Sequence, residues 1–149
     1  MFKKVELNAV IIATPNNVHR NQAIAAAKAG VNVVIEKPLA VTNEEAWDIV
    51  ETCKKYKVKL MVGCDRRFWT QNQWAKQLIE EGVIGKVITS RASLHEHWYN
   101  YQNHVAKTDF RLHCEVAGGA AVADTGAHAI DLLTWLNGSK VKRVVGIAK

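Results

Sequence analysis

The amino-acid sequence predicts an α/β protein in which part of a doubly wound parallel sheet is followed by the start of a second, α+β domain. Three observations predict it. Short apolar runs recur at Ala9–Ala13, Val31–Ile35 and Lys59–Val62, each is followed by a polar turn and a stretch of helical character, and the pattern changes after Gly85. Unbroken apolar strands alternating with helices indicate parallel pairing, right-handed crossovers and a sheet covered on both faces.

Each element has its own signal. After Thr14-Pro15-Asn16-Asn17 an alanine-rich stretch runs to Gly30, a residue suited to a helix stop. The second strand breaks at Glu36-Lys37-Pro38. Thr42-Asn43-Glu44-Glu45 then has the Thr-x-x-Glu form of a capping box, and Ala46, Ile49, Val50 and Cys53 share one face of the helix that follows. The third strand leads into the turn Gly63–Phe68, and a helix from about Trp69 runs to Gly82, which fits the left-handed position past a helix end. Beyond Gly85, Lys86–Trp98 reads as a long strand and a polar stretch reaches Val116. A helix spans about Ala120–Leu136, and Val141–Ile147 reads as another strand. Domains are therefore expected at residues 1–85 and 86–149. The sequence has no internal repeat, low-complexity tract or flexible linker.

The composition narrows the function classes. With 48% apolar and 23% charged residues, and no apolar run near the roughly 18 residues that span a bilayer, the chain reads as cytoplasmic with no membrane partner. Glu6 and Asn8 interrupt the start before an apolar segment of signal-peptide length develops. The net charge of +6 comes from scattered lysines; Lys54, Lys55, Lys57 and Lys59 close one helix, where the dipole favours them. No basic stripe with stacking aromatics is present, so no nucleic-acid partner is expected. Cys53, Cys64 and Cys114 lack metal or redox spacing and read as reduced thiols. His95, His97, His104, His113 and Cys114 match no usual zinc pattern, so no metal site is expected.

In open parallel sheets, ligands bind beyond the carboxyl ends of the strands. The turns there carry Thr14, Asn16, Asn17 and His19; Glu36 and Lys37; and Asp65, Arg66 and Arg67. Solvation alone explains any one polar turn, but three on one rim point to a site. Further along, Asp124, His128 and Asp131 fall on one helical face by their spacing. A carboxylate one turn from an imidazole can orient the ring for general-base work near neutral pH. A local polar pair at a helix start explains the same spacing equally well.

Four motifs in order, Ala9–His19 (Ala-Val-Ile-Ile-Ala-Thr-Pro-Asn-Asn-Val-His), Glu36-Lys37-Pro38, Gly63–Phe68 and Asp124-x-Gly126-x-His128-x-x-Asp131, resemble the family of glucose-fructose oxidoreductase, inositol dehydrogenase and the rhizopine-catabolism dehydrogenases. The resemblance covers nearly the whole chain. It implies a Rossmann-type first domain, NAD or NADP as cofactor, and a sugar or polyol as substrate. Thr14, Pro15, Asn16, His19, Glu36, Lys37 and Arg67 would serve the cofactor, with Lys37 also holding the substrate hydroxyl. His128 would be the acid or base, and Asp124 would bind a neighbouring hydroxyl. The resemblance also implies a cis Lys37–Pro38 bond. Because Lys37 follows a strand's carboxyl end and His128 starts the covering helix, the two are expected to face a common cleft.

The resemblance further implies two strands and a Gly-x-Gly-x-x-Gly turn before residue 9, where this sequence supplies eight residues and no such motif. Residues 1–85 are accordingly expected to be the C-terminal half of a dinucleotide-binding domain, and residues 86–149 a partial substrate or oligomerisation domain, truncated at both ends. Two functions follow as expectations. One is an NAD(P)-dependent oxidoreductase of a sugar or polyol, impaired at the cofactor site. The other is a non-enzymatic oligomeric or small-molecule-binding protein on the same fold. Ala9–Ala13 has none of the lysines or prolines that protect edge strands, so a homodimer or larger homo-oligomer is expected through it. Asp65, where the family often has asparagine, and Ala120, where it often has glycine, are departures.

Overall fold

The computed structural model describes residues 5–95, 110–119 and 122–147. The chain forms two compact units: Met1–Cys64 with His95–Ala127, and Asp65–Leu94 with His128–Lys149.

The first unit is built on three parallel strands, β1 (Ala9–Ile12), β2 (Asn32–Ile35) and β3 (Leu60–Val62), in the order β1-β2-β3. Helix α1 (His19–Lys28) connects the first pair and α2 (Asn43–Lys55) the second. This is the Rossmann-type alternation expected from the apolar runs. Alternate strand residues point to one face, so Ile12, Val33 and Ile35 meet Ala23, Ala26 and Ala27 of α1 and Ile49 and Cys53 of α2 in one buried core. The alanines are fully buried, which lets α1 approach the sheet closely. Each fully buried Ile or Val contributes about 1.5–3 kcal/mol through the surface it removes from water. Burial also pushes the Cys53 thiol above its ordinary range, and all three cysteines are free.

The opposite sheet face differs from the sequence expectation. Ile11 is 75% exposed and Met61 44%, so among the described residues α1 and α2 cover one face and these two side chains of the other face are exposed. Among the described residues β1 pairs on one side only.

Local signals hold the helix ends. α1 stops where Gly30 takes a positive φ of 75°. At the start of α2 the Thr42 hydroxyl accepts from the Glu45 N–H at 3.3 Å. The Glu45 carboxylate reaches back to accept from the N–H of Val41 at 3.3 Å, a box displaced by one residue from the usual form. The Glu44 carboxyl is held below its ordinary value by a backbone N–H of its own turn and by the Thr42 hydroxyl. Beyond β3, this unit continues with a 3-10 turn at Phe110–Leu112 and the single helical turn α4 (Cys114–Ala117), which ends at Gly118 with φ 84°. A Cβ at Gly118 would lie 2.9 Å from the Cα of Val41, so glycine is required there by both conformation and space.

The second unit opens with a 3-10 turn, Asp65–Phe68, followed by α3 (Thr70–Glu80), which ends at Gly82 in the left-handed region, φ 76°. Its other helix is α5 (Ala127–Asn137), from His128 onward. The Lys76 ammonium joins the two helices by donating to the Leu136 carbonyl at 3.2 Å and lying over the Trp135 ring.

Three expectations need correction. Residues 86–95 and Val141–Ile147 contain no strand. A strand exists only through a neighbour that completes its backbone ladder, and no described segment pairs with either; Ile88, Val145 and Ile147 are each more than 90% exposed. The rest of the first predicted strand, residues 96–98, lies outside the described residues, as do His97 and His104. The helix expected from Ala120 is instead a π turn, Val122–Gly126, followed by α5, with residues 120 and 121 outside the described set. No helix among the described residues is long and apolar enough to cross a membrane.

Two substitutions test these local constraints. Thr42→Ala is expected to lower stability by about 1 kcal/mol in urea unfolding at neutral pH, the usual cost of a lost N-cap. Because the hydroxyl helps hold Glu44 low, its contribution through that carboxylate is present above the unfolded-state value and fades as pH falls through the folded one, so the variant's deficit should shrink in acid. Gly118→Ala is expected to cost about 1–3 kcal/mol from crowding alone, with further loss from the left-handed backbone, measured the same way.

Candidate functional site

The parallel register of β1 and β2 brings their carboxyl ends to one edge, so Ala13–Asn16 and Glu36–Lys37 emerge together. There they line a cavity of about 310 Å³ completed by Phe110, Arg111, Ala117 and Asp124. That volume sits at the low end for small-molecule sites and accommodates a ring-sized group.

Hydrogen bonds order the residues of the cavity. The Asn16 amide, nearly buried, donates to the Ala117 carbonyl at 2.8 Å and fixes α4 against the first turn. Thr14 donates to Gln22 of α1 at 2.9 Å. The Glu36 carboxylate accepts from the Lys37 N–H at 3.1 Å. Gly63 packs beside that carboxylate, where an added Cβ would make ordinary contact at 3.5 Å. The Lys37–Pro38 bond is cis, the isomer the resemblance implies.

Lys37 and Asp124 form the charged centre. The Lys37 ammonium donates to the Asp124 carboxylate and, at 3.1 Å, to the Asp124 carbonyl, and both side chains are largely buried. Arg111 approaches the other carboxylate oxygen at 3.8 Å and lies over the Phe110 ring. Two cations and two carboxylates therefore share the cavity, leaving it balanced in charge and rich in donors and acceptors for hydroxyl groups.

His19 is placed differently from the other predicted residues of this rim. It is fully buried and outside the cavity lining, with Nδ1 3.1 Å from the Pro38 carbonyl and Nε2 3.0 Å from the Thr14 carbonyl. It links the turns after β1 and β2 from behind. A neutral ring can donate to one of these carbonyls at a time, a protonated ring to both.

In the second unit, Arg67 and Asp131 form a two-point pair, with Arg67 Nε donating to Asp131 Oδ2 at 2.8 Å and Nη2 donating to Oδ1. His128 Nδ1 stands 3.7 Å from Asp65 Oδ1. The expected α-helical face of Asp124, His128 and Asp131 is thus replaced: Asp124 lies in the π turn and pairs with Lys37 in the first unit, and the carboxylate beside His128 is that of Asp65.

Among predicted residues, Thr14, Pro15, Asn16, Glu36, Lys37 and Asp124 line the one cavity. Phe110, Arg111 and Ala117 were missed by sequence reasoning, because the polar stretch that holds them has no periodicity to fix a direction. No group of three potential metal ligands occurs among the described residues.

Comparison with known proteins places this geometry. Residues 1–64 match the oxidoreductase family with an NAD-binding Rossmann fold, and residues 72–149 match the GFO/IDH/MocA C-terminal domain. Levoglucosan dehydrogenase from Pseudarthrobacter phenanthrenivorans is 35% identical over 133 residues, covering 89% of this chain and 34% of that protein. The 2,7-anhydro-N-acetylneuraminate hydratase from Mediterraneibacter gnavus is 33% identical over 144 residues, covering 97% of this chain and 37% of that protein. A solved levoglucosan dehydrogenase in complex with NADH and levoglucosan superposes with a TM-score of 0.81 at 34% identity, covering 92% of this chain and 36% of that one. The chain thus spans roughly a third of the length of these relatives. With one family signature on the strand edge that forms the cavity and another on the segment that supplies Asp124 and His128, the chain belongs to the GFO/IDH/MocA oxidoreductase family.

Proposed function

We propose that this chain carries the substrate-handling part of an oxidoreductase that moves hydride between a nicotinamide dinucleotide, NAD or NADP, and a carbon bearing a hydroxyl in a sugar or polyol. The observation that carries this reading is the Lys37–Asp124 pair inside a charge-balanced cavity at the carboxyl ends of β1 and β2. Such a cavity offers alternating donors and acceptors, which suits a neutral, hydroxyl-rich ligand better than a highly charged one. The relatives named for levoglucosan lend the same support.

Thr14, Pro15, Asn16 and Glu36 would border the nicotinamide end of the cofactor, for which a cavity of about 310 Å³ has room as a single ring-sized group. The dinucleotide, when bound, supplies the hydride chemistry. Lys37 would hold the reacting hydroxyl, Asp124 would fix Lys37 and accept from a neighbouring hydroxyl, and His128 would take or return the hydroxyl proton. A partly buried pair of this kind holds both groups in one orientation, and removing one partner leaves the other uncompensated. Arg67, bound to Asp131, is a cofactor residue only through the resemblance.

Dinucleotide affinity of these 149 residues by themselves is expected to be weak, because they contain no Gly-x-Gly-x-x-Gly turn to cradle a pyrophosphate. Calorimetric titration with NADH and NADPH checks this, and micromolar binding would refute it. Sugar and polyol binding, followed by ligand-observed NMR, should fall at least tenfold in Lys37→Met and Asp124→Ala. Undiminished binding in both variants would reject the site. Turnover, read at the nicotinamide absorbance with saturating dinucleotide, should fall by about 10²–10⁴ on loss of the acid-base group in His128→Gln. Binding without turnover under all conditions would favour a small-molecule-binding protein instead.

We also propose that a second copy of the chain pairs with β1. Its outer edge is unpartnered among the described residues, and Ile11 beside it is 75% exposed. Bare edges of apolar strands invite association, most simply across a twofold axis. Light scattering should report at least a dimer at micromolar concentration, weakened by Ile11→Lys with an unchanged circular dichroism spectrum. A stable monomer would overturn it.

A further inference from the structure

The carboxylates around α5 are distributed in a way that leaves one of them to His128. Asp131, three residues along the same helix, is the natural neighbour of that imidazole. Arg67 engages both of its carboxylate oxygens. The carboxylate that faces the ring comes instead from Asp65, the first residue of the 3-10 turn Asp65–Phe68, with Oδ1 3.7 Å from His128 Nδ1. That turn is held by the Asn72 amide, which donates to the Arg66 carbonyl at 2.8 Å, and by the stacking of Arg66 on Trp69. All of these residues belong to one compact unit.

From this geometry we infer that Asp65 is a positioning residue that sets the tautomer of His128, holding the ring proton on Nδ1 and leaving Nε2 as the proton acceptor. The inference rests on the proposed role of His128 as acid or base. At 3.7 Å the contact is an ion-pair distance rather than a hydrogen bond, and catalytic hydrogen bonds commonly tighten from such distances when substrate binds. The proton balance is simple. The substrate hydroxyl gives its proton to Nε2, Nδ1 keeps its own, and the resulting imidazolium charge faces the Asp65 carboxylate. In the reverse direction Nε2 returns the proton to the oxygen. The free histidine side chain prefers its proton on Nε2, so an Nδ1–H ring is the mark of an acceptor at Nδ1. The Asp65 side chain is 63% exposed, so water screens the pair and the effect on the tautomer ratio should be modest, about twofold to fivefold.

The test is ¹⁵N NMR of the full chain labelled at histidine, with His128 assigned by the signals lost in His128→Gln, at a pH where the ring is neutral. The Nδ1–H form should be enriched in the parent. It should fall about twofold to fivefold in Asp65→Ala and return in Asp65→Glu. A parent ring already in the Nε2–H form, or a ratio unchanged in Asp65→Ala, would overturn the inference. Circular dichroism separates these outcomes from misfolding; should Asp65→Ala fail to fold, Asp65→Ser is read in its place. The readout needs neither sugar nor dinucleotide. A tautomer that responds to Asp65 while His128→Gln leaves sugar turnover unchanged would sink the proposed catalytic role and keep the pairing.

Discussion

Parallel pairing of β1 with β2, from Ala9 opposite Asn32 to Ile12 opposite Ile35, decides where both strands stop. Everything at the candidate site follows from that stop. In a parallel pair the two strands leave the sheet at the same edge, so the turns after Ile12 and Ile35 are neighbours although the strand ends are 23 positions apart in sequence. The register is fixed by packing. A slip of one residue would turn Ile12, Val33 and Ile35 away from α1 and α2 and replace them with Ile11 and Val34. The same core that stabilises the unit therefore sets the distance between Thr14 and Lys37. His19 reinforces the arrangement, since its buried ring touches a carbonyl from each turn, Thr14 on one side and Pro38 on the other.

The Lys37–Asp124 pair then joins residues 87 positions apart in sequence. Its worth lies less in stability than in orientation. Two charges taken largely out of water lose hydration that their attraction does no more than offset, so such pairs often contribute little net stability. They do, however, hold a long flexible side chain in one place. The second hydrogen bond from Lys37, to the Asp124 carbonyl, fixes the ammonium on the backbone of the π turn as well as on the side chain. Arg111 on the far oxygen of Asp124 completes a chain of alternating charge.

The strands and helices of the first unit were legible because their signals are local: apolar runs of strand length, a Thr-x-x-Glu cap, and glycines at 30 and 82 that adopt positive φ as helix stops require. The site was legible in part. Thr14, Asn16, Glu36 and Lys37 could be placed from topology alone, because every strand end in a parallel sheet faces the same edge. His19 sits in the same turn, and nothing in its sequence position separates a ring that lines the cavity from one that supports it from behind. Arg111 was not legible, since its stretch has no period. The two later strands were misread because an apolar run reveals readiness to pair and says nothing about whether a partner is present.

The pairing of Asp124, His128 and Asp131 shows why spacing failed where it looked strongest. An interval of four offers a shared face without choosing partners, and Asp124 lies in Val122–Gly126, wound as a π turn. The Asp124 carboxylate is engaged by Lys37 and Arg111. Asp131, within the regular part of α5, keeps the predicted side but is taken by Arg67. Each of the two carboxylates that the spacing offered to His128 thus goes to a cation with more donors than an imidazole. The carboxylate beside His128 is that of Asp65, from a turn 63 positions earlier in sequence.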